Sequence, residues 1–212
     1  LHLINSPIAN AVIAQNLLDD FQLLYPKVHY HIEAPNAADV LRYIALHHSG
    51  LGLAAIMHNP AYHSFYQPYI DQVKAYLLLQ DEYVCVAGAR NPITDQKNIS
   101  FQEFIHYPIA MLQLDGEEEV PLMQLLRQKG DLAPTLLSES PHLYTQSIAY
   151  GNYIGFASRR VAKNTPLLAN SDLVYLPFKE ALTLDIVLLT NAQPELDNVG
   201  AAFVDMVKEY AD

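Results

Sequence analysis

The chain has 212 residues, of which 51% are hydrophobic and 17% are charged. This composition excludes extended disorder, because so apolar a chain can bury a sizeable core in one large domain or two smaller lobes. The formal net charge of -11 excludes a broad basic surface of the kind that binds phosphate backbones, so we expect this chain alone to bind nucleic acid poorly.

Alternating apolar runs and helical periodicity make up the first third of the chain, a pattern typical of a largely parallel α/β fold. In chain order the predicted elements are a strand at Leu1–Asn5, a helix with Ile13, Leu17, Phe21 and Leu24 on one face, a strand at Val28–Ile32, a helix with Val40, Leu41, Ile44 and Ala45 on one face, and a strand at Leu53–Ile56. Ser6 is predicted to cap the first helix, with Pro7 in its first turn, and Asn36 to cap the second.

A polar interruption at Gln80–Glu82 separates two apolar runs, Ala75–Leu79 and Tyr83–Ala87, which we interpret as the crossing into a second lobe. The elements predicted after it are strands at Pro108–Leu112, Thr135–Ser138, Tyr153–Ala157, Leu173–Leu176 and Leu184–Leu189, with helices at Val120–Lys129, Pro141–Tyr150 and from Pro194 onwards. Because the last strand and helix are expected to return to the first lobe, lobe I is predicted to be 1–79 plus 183–212, and lobe II 80–182. Two crossings make a hinge and leave a cleft between the lobes.

The same local arrangement occurs once in each predicted lobe. A strand runs into Ser6–Pro7 and a helix, and another strand runs into Ser140–Pro141 and a helix. Helix starts at the carboxyl ends of strands favour anions, because free N–H groups and the helix dipole meet there. If both starts face one cleft, they form a two-sided clamp for a small polar or carboxylated molecule; alternatively, Ser-Pro is only a common way to begin a helix.

Other chemistry finds little support in the sequence. His29 and His31 share a strand face, but no zinc-ligand spacing is present, so neither a metal nor another cofactor is predicted. Glu117–Glu119 is interpreted as a solvated helix start, and no nucleophile elbow, phosphate loop or dinucleotide fingerprint occurs, so no catalytic residue is assigned. The lone Cys85 is interpreted as a small buried hydrophobic residue.

The predicted environment of the chain is a reducing cytoplasm, because a single cysteine cannot form an internal disulfide. The chain lacks a basic leader segment and any apolar stretch long enough to cross a bilayer. It does not begin with Met, as expected of a piece of a longer protein or of a chain whose first Met was removed by processing.

The order and spacing of several short motifs resemble one known family over essentially the whole chain. The segments that carry the resemblance are Leu3–Pro7, Phe21–Val28, Ala75–Pro92, Ser100–Phe104, Ile148–Ala157 and Leu173–Pro177. They are similar to the effector-binding (substrate-binding) domain of LysR-type transcriptional regulators. Departures from the family pattern are Ile8, where a second hydroxyl residue is frequent, and Ser158, where proline is frequent.

The resemblance implies an α/β fold of two Rossmann-like lobes, similar to type 2 periplasmic binding proteins and joined by two crossover segments. It implies an effector site between the lobes, formed by the residues Asn5, Ser6, Pro7, Pro35, Asn36, Gln113, Ser140, Tyr153 and Phe156. It further implies a homodimer or homotetramer, in which the helix around Ile13–Leu24 of one chain pairs with a second-lobe helix of another. DNA would be bound only by an amino-terminal winged helix-turn-helix that this chain lacks.

Three functions therefore stay open at this point. The leading hypothesis is a non-enzymatic effector-sensing domain whose lobes shift population when a metabolite binds. A free-standing solute-binding protein with the same fold is the second, and a small-molecule enzyme using the cleft, with a histidine base, is the third.

Overall fold

A computed structural model describes residues 1–57, 67–112, 134–164 and 172–210. Its strands within these ranges are β1 (His2–Ile4), β2 (His31–Glu33), β3 (Leu51–Met57), β4 (Val73–Gly88), β5 (Ala110–Leu112), β6 (Leu136–Ser138), β7 (Ile154–Ser158), β8 (Leu173–Pro177) and β9 (Thr183–Asn191). Its helices are α1 (Pro7–Ala9), a π-helical segment (Asn10–Ala14), α2 (Gln15–Leu24), α3 (Ala37–Leu46), a 3-10 turn (Pro92–Asp95), α4 (Phe101–Phe104), α5 (Pro141–Tyr150), α6 (Arg159–Asn164) and α7 (Asn198–Glu209).

The chain divides into two compact units, which we call unit 1 and unit 2. Unit 1 comprises Leu1–Asp81 and Thr183–Asp212, and unit 2 comprises Glu82–Leu182. Strand β4 contributes its first half to unit 1 and its second half to unit 2. None of the helices within the described residues has the length and apolar character that a membrane span requires.

In unit 1, β1 and β2 pair in parallel, and β3 pairs antiparallel with β9, which also neighbours β4. Helices α2 and α7 meet at an aromatic contact, where the rings of Phe21 and Phe203 lie edge to face with centroids 5.2 Å apart. Both rings are fully buried. Burying two such rings stabilises the fold by several kcal/mol, on the order of 2 to 3 kcal/mol each, so this contact anchors the helices of unit 1.

The first helix departs from its predicted stripe at one position. Ile13, Leu17 and Phe21 are buried as predicted, but Leu24 is 64% exposed. The helix ends there because Tyr25 leaves the helical backbone conformation ahead of Pro26. The Tyr25 N–H makes the last helical bond, to the Phe21 carbonyl, and the Tyr25 ring packs on Phe21 with centroids 4.6 Å apart. The contact predicted for Leu24 is therefore made by its neighbour.

In unit 2, the second half of β4 pairs antiparallel with both β7 and β8, while β5 and β6 pair in parallel. Cys85 lies in the second half of β4 and is fully buried, as predicted, and burial raises the pKa of its thiol to about 12. Such a thiol is almost entirely protonated at neutral pH and therefore unreactive.

A capping box begins the short helix α4. The Ser100 hydroxyl accepts from the Glu103 backbone N–H, and the Glu103 carboxylate accepts from the Ser100 backbone N–H. A hydrogen bond from Lys179 to this carboxylate, together with those from Ser100, lowers the pKa of Glu103 to about 2. The Glu103 carboxylate is therefore ionised at neutral pH and at mildly acidic pH, and it can accept both hydrogen bonds there.

Three features of the predicted topology were wrong. The polar run Gln80–Glu82 does not interrupt the crossing, because β4 is one continuous strand in which Gln80 donates to Asp185 and Glu82 pairs with Arg159. The sheets are not largely parallel, because the long strands β3, β4 and β9 have antiparallel neighbours. The last helix begins after Asp197, whose carboxylate accepts from the Gly200 N–H, and not at Pro194.

Candidate functional site

Two buried polar side chains, Asn5 and Ser6, follow β1 directly and are tied to the backbone of β3. The Asn5 amide oxygen accepts from the Leu53 N–H at 2.9 Å, and the Ser6 hydroxyl oxygen accepts from the Ala55 N–H at 3.0 Å. The Asn5 amide nitrogen donates to the Asn10 side chain at 2.9 Å. Side chains of this kind are held in one position, because each buried polar atom would otherwise lose its partner.

The predicted cap at Ser6 is wrong in its side-chain detail. Ser6 has the extended backbone of an N-cap, and its carbonyl accepts from the Asn10 N–H, but its hydroxyl does not bond to the first turn of α1. The hydroxyl is committed to Ala55 instead, because β3 lies against this loop. The start of α1 therefore has no serine side chain over its free N–H groups.

Gly52 is what allows β3 to lie so close to β1. A Cβ on this residue would overlap the backbone carbonyl oxygen of Ile4 and lie 3.0 Å from the Val40 side chain. The backbone N–H of Leu53, the next residue, donates to the Asn5 side chain. The sequence gives no sign of this contact, since only the fold shows which backbone faces the glycine.

The second predicted loop of unit 1 lies beside the first. Because β1 and β2 are parallel, with Ile4 opposite Glu33, their carboxyl ends lie at one edge, and the Asn5 N–H bonds to the Glu33 carbonyl. Pro35 is half-buried, and Asn36 caps α3 as predicted: its amide oxygen accepts from the Asp39 N–H and its amide nitrogen donates to the Asp39 carboxylate, both at 2.9 Å.

In unit 2, Ser140 begins α5 after β6 and is exposed. Its hydroxyl accepts from the Leu143 N–H at a long 3.3 Å, as a predicted cap does, and its own N–H donates to the Ser138 hydroxyl at 3.0 Å. Unlike Ser6, this serine keeps its hydroxyl at the helix start.

Tyr144, one turn after Ser140, joins α5 to β7 and was not singled out from the sequence. Its buried hydroxyl donates to the Phe156 carbonyl at 2.8 Å and accepts from the Phe156 N–H at 3.1 Å. Gly155 makes room for it, because a Cβ there would overlap that hydroxyl and lie 2.5 Å from the Ile148 side chain. Burial raises the pKa of the Tyr144 phenol well above its ordinary value, so this hydroxyl stays protonated.

The remaining predicted residues of unit 2 are less polar. The Phe156 ring is half-buried, with its centroid 6.0 Å from that of Tyr83 and 6.4 Å from that of Phe104. Tyr153 is half-buried and packs against the cluster that includes Tyr144 and Ile148. Gln113 lies outside the described residues, as does the predicted helix Val120–Lys129.

The predicted residues within the described ranges divide between the units: the unit 1 group is Asn5, Ser6, Pro7, Pro35 and Asn36, and the unit 2 group is Ser140, Tyr153 and Phe156. The groups share an arrangement, in which a parallel strand pair (β1 with β2, β5 with β6) leads into a helix begun by Ser-Pro. Such helix starts present backbone N–H groups that suit anionic or polar ligands.

The family whose sequence model matches this chain is described as the LysR substrate binding domain, and the match covers residues 1–212. The chain therefore belongs to this family, and it is an effector-sensing domain of a LysR-type transcriptional regulator with a periplasmic-binding-protein-like fold. Comparison with curated protein sequences gave no match.

Solved structures with this fold are similar over nearly the whole chain. The C-terminal domain of a probable LysR family regulator from Rhodococcus sp. RHA1 has a TM-score of 0.72 and 13% identity, covering 98% of this chain and 97% of that one. The CcmR regulatory domain of Synechocystis PCC6803, in complex with 2-PG, has a TM-score of 0.75 and 18% identity, covering 100% and 97%. The effector-binding domain of QuiR, in complex with shikimate, has a TM-score of 0.70 and 14% identity, covering 100% and 96%.

Proposed function

We propose that this domain binds one small anionic metabolite through the residues described above, with the helix starts of α1 and α5 as the anion-binding elements. The observation that carries the proposal is the repeated arrangement of parallel strand pair, Ser-Pro and helix in the two units. The proposed site comprises the nine residues predicted from the sequence, Gln113 included. Backbone N–H groups at both helix starts would hold a carboxylate or phosphate.

The two serines have different proposed roles. The Ser6 hydroxyl oxygen already accepts from the Ala55 N–H, but the hydroxyl hydrogen can turn toward a ligand oxygen and donate to it. Ser140 is exposed and only weakly bonded to Leu143, so its hydroxyl can switch from the cap to the ligand. A metabolite that carries both an acid group and hydroxyls, as shikimate does for QuiR, suits this pair.

The proposed role is sensing without catalysis, in the cytoplasm, coupled to DNA binding by an amino-terminal domain outside this chain. Effector binding favours one conformation of the domain over another, and this shift in population would change the DNA affinity of the dimer. A ligand that stabilises the domain and is recovered chemically unchanged supports sensing over the alternative of an enzyme.

A thermal-shift screen tests the site, with shikimate and 2-PG among the first organic acids because neighbours with this fold bind them. For any acid that raises the Tm, we expect Ser6→Ala and Ser140→Ala each to weaken binding roughly tenfold, the loss of one hydrogen bond to a charged group. Each variant is compared with its own ligand-free state, because Ser6→Ala also leaves the Ala55 N–H unpaired and lowers stability by about 1 to 3 kcal/mol.

Ser100→Ala is the matched control, since Ser100 also caps a helix of unit 2 but lies outside the proposed site. It should lower stability without changing the affinity. Ser6→Thr keeps the hydroxyl and should retain binding if the hydroxyl is what matters. Equal affinities for the wild type, Ser6→Ala and Ser140→Ala would remove both serines from the site.

We also propose that two copies associate through α2. Leu23 and Leu24 are 82% and 64% exposed at the end of this helix, although both are large and apolar. A second copy that covers them with a helix of its unit 2 would remove this surface from water.

Replacing Leu23 and Leu24 together by Glu should shift the chain from dimer to monomer in sedimentation velocity at the same concentration. Gln22→Glu adds charge to the same helix without removing an apolar contact, and it should leave the dimer intact. A wild-type chain that sediments as a monomer at all accessible concentrations would contradict the proposal.

A further inference from the structure

Three potential metal ligands, His2, His31 and Glu33, lie together on β1 and β2. Parallel pairing sets His2 opposite His31, and Glu33 follows His31 by two residues, so the side chains of His31 and Glu33 share a face of their strand. One nitrogen of each imidazole and one carboxylate oxygen all lie within 4.8 Å of one another. We call these three residues the β1–β2 triad.

We propose that the β1–β2 triad is a binding site for a divalent transition-metal ion, with Zn²⁺ as the reference ion. The residues are already oriented toward one another: His2 Nε2 and Glu33 Oε1 are 2.9 Å apart, and the rings of His2 and His31 are stacked with centroids 4.7 Å apart. An ion would take the place of the proton shared by His2 and Glu33. Small side-chain rotations would then bring His31 to the same centre.

The donor set selects the class of ion. Two imidazole nitrogens and one carboxylate suit Zn²⁺, Ni²⁺ and Cu²⁺, whereas Mg²⁺ and Ca²⁺ prefer sites made entirely of oxygen. Three protein ligands leave one tetrahedral position for water or another donor. The side chains of His2 and Glu33 are 41% and 53% exposed, so the ion can enter from solvent without any opening of the fold.

The charge of the whole chain favours a cation, and aromatic rings lie beside the triad. The formal net charge is -11, Tyr43 lies edge-on to His2 with centroids 6.2 Å apart, and His47 packs on Tyr43 at 4.1 Å. His29, which the sequence pairs with His31, is not a member of the triad, whereas the register of β1 and β2 adds His2.

Metal binding here would join the two strands that lead into the proposed effector loops. β1 continues into Asn5 and Ser6, and β2 into Pro35 and Asn36. His2 and His31 are the first residues of the two strands and Glu33 is the last residue of β2, so a bound ion would span the strand pair and hold its register. The inference stands without the effector proposal, because it concerns residues outside that site.

Isothermal titration of the full chain with Zn²⁺ alone, in a preparation without a polyhistidine tag, tests the site. We expect one saturable site that His31→Ala and Glu33→Gln each weaken by at least about tenfold, since loss even of a ligand's supporting hydrogen bond costs 10- to 100-fold. His29→Ala is the matched control, an exposed histidine of the same segment outside the triad, and it should bind as the wild type does.

Circular dichroism of each variant separates loss of a ligand from loss of the fold, and the exposure of all three side chains predicts folded variants. Co²⁺ in place of Zn²⁺ should give the visible bands of an ion with nitrogen and oxygen ligands, and these bands should be lost in His31→Ala. The proposal is overturned if the wild type shows no saturable binding up to about millimolar Zn²⁺, or if His31→Ala and Glu33→Gln bind as tightly as the wild type. Neither result would bear on the effector site, which is tested with other variants and other ligands.

Discussion

Replacing Gly52 by Ala is expected to lower the free energy of unfolding by about 3 kcal/mol or more, the upper end of what overpacking costs. The added methyl group would overlap the Ile4 carbonyl oxygen, which belongs to backbone and cannot rotate away. To make room, β3 must move from β1, and the Leu53 N–H then withdraws from Asn5 and the Ala55 N–H from Ser6. Urea unfolding followed by circular dichroism measures the loss.

Gly200→Ala is the control for this substitution. Gly200 lies in the first turn of α7, where a Cβ would meet only side-chain atoms at 3.3 Å or more, and alanine has the better helix propensity. We expect its stability to stay within about 1 kcal/mol of the wild type. If Gly52→Ala were as stable as Gly200→Ala, the close approach of β3 to β1 would be wrong.

Replacing Gly155 by Ala is expected to cost about 2 kcal/mol of stability through the same mechanism in unit 2. Here the obstacles are side chains, the Tyr144 hydroxyl and the Ile148 methyl group, but both are buried and the hydroxyl is held by two hydrogen bonds to Phe156. Buried side chains have less room to move aside than exposed ones. The loss of stability is therefore substantial, although the nearest atoms to the added methyl group belong to side chains and not to backbone.

A double-mutant cycle isolates the part due to Tyr144. Tyr144→Phe removes the hydroxyl and leaves the ring, so Gly155→Ala should cost less in that background than in the wild type, with Ile148 accounting for what remains. Urea midpoints of the four proteins, taken at a common slope, give the coupling. Additive costs would show that the hydroxyl does not occupy the space next to Gly155.

The sequence predicted best what local periodicity controls. Helix α5 has the predicted bounds Pro141–Tyr150, and the buried strands β3, β7 and β9 lie where apolar runs predicted them, within one or two residues at each end. These elements have many apolar side chains on one face or on both. Periodicity alone therefore locates them.

Features that depend on a partner elsewhere in the chain were not predictable in this way. The continuity of β4 was missed because Gln80 and Glu82 are polar. Their partners, Asp185 for Gln80 and Arg159 for Glu82, are distant in sequence and come close only in the folded chain. Ser6 was predicted as a cap because local sequence favours it, but the Ala55 N–H competes for the hydroxyl once β3 is in place.

The candidate site divides in the same way. Ser-Pro at two helix starts could be read directly from the sequence, and so could the cap at Asn36. Tyr144 carried no signal beyond its place in a helix, and the triad of His2, His31 and Glu33 requires the register of two strands whose paired residues, such as His2 and His31, are 29 positions apart in the chain. Spacing within one strand led instead to His29.

The two hydrogen bonds between Tyr144 and Phe156 have a consequence for how unit 2 could respond to a ligand at Ser140. One phenol oxygen serves both the carbonyl and the N–H of a single residue, so a displacement of α5 along β7 that lengthens one bond disturbs the other as well. Tyr144 therefore couples the position of this helix to the backbone of the strand at Phe156.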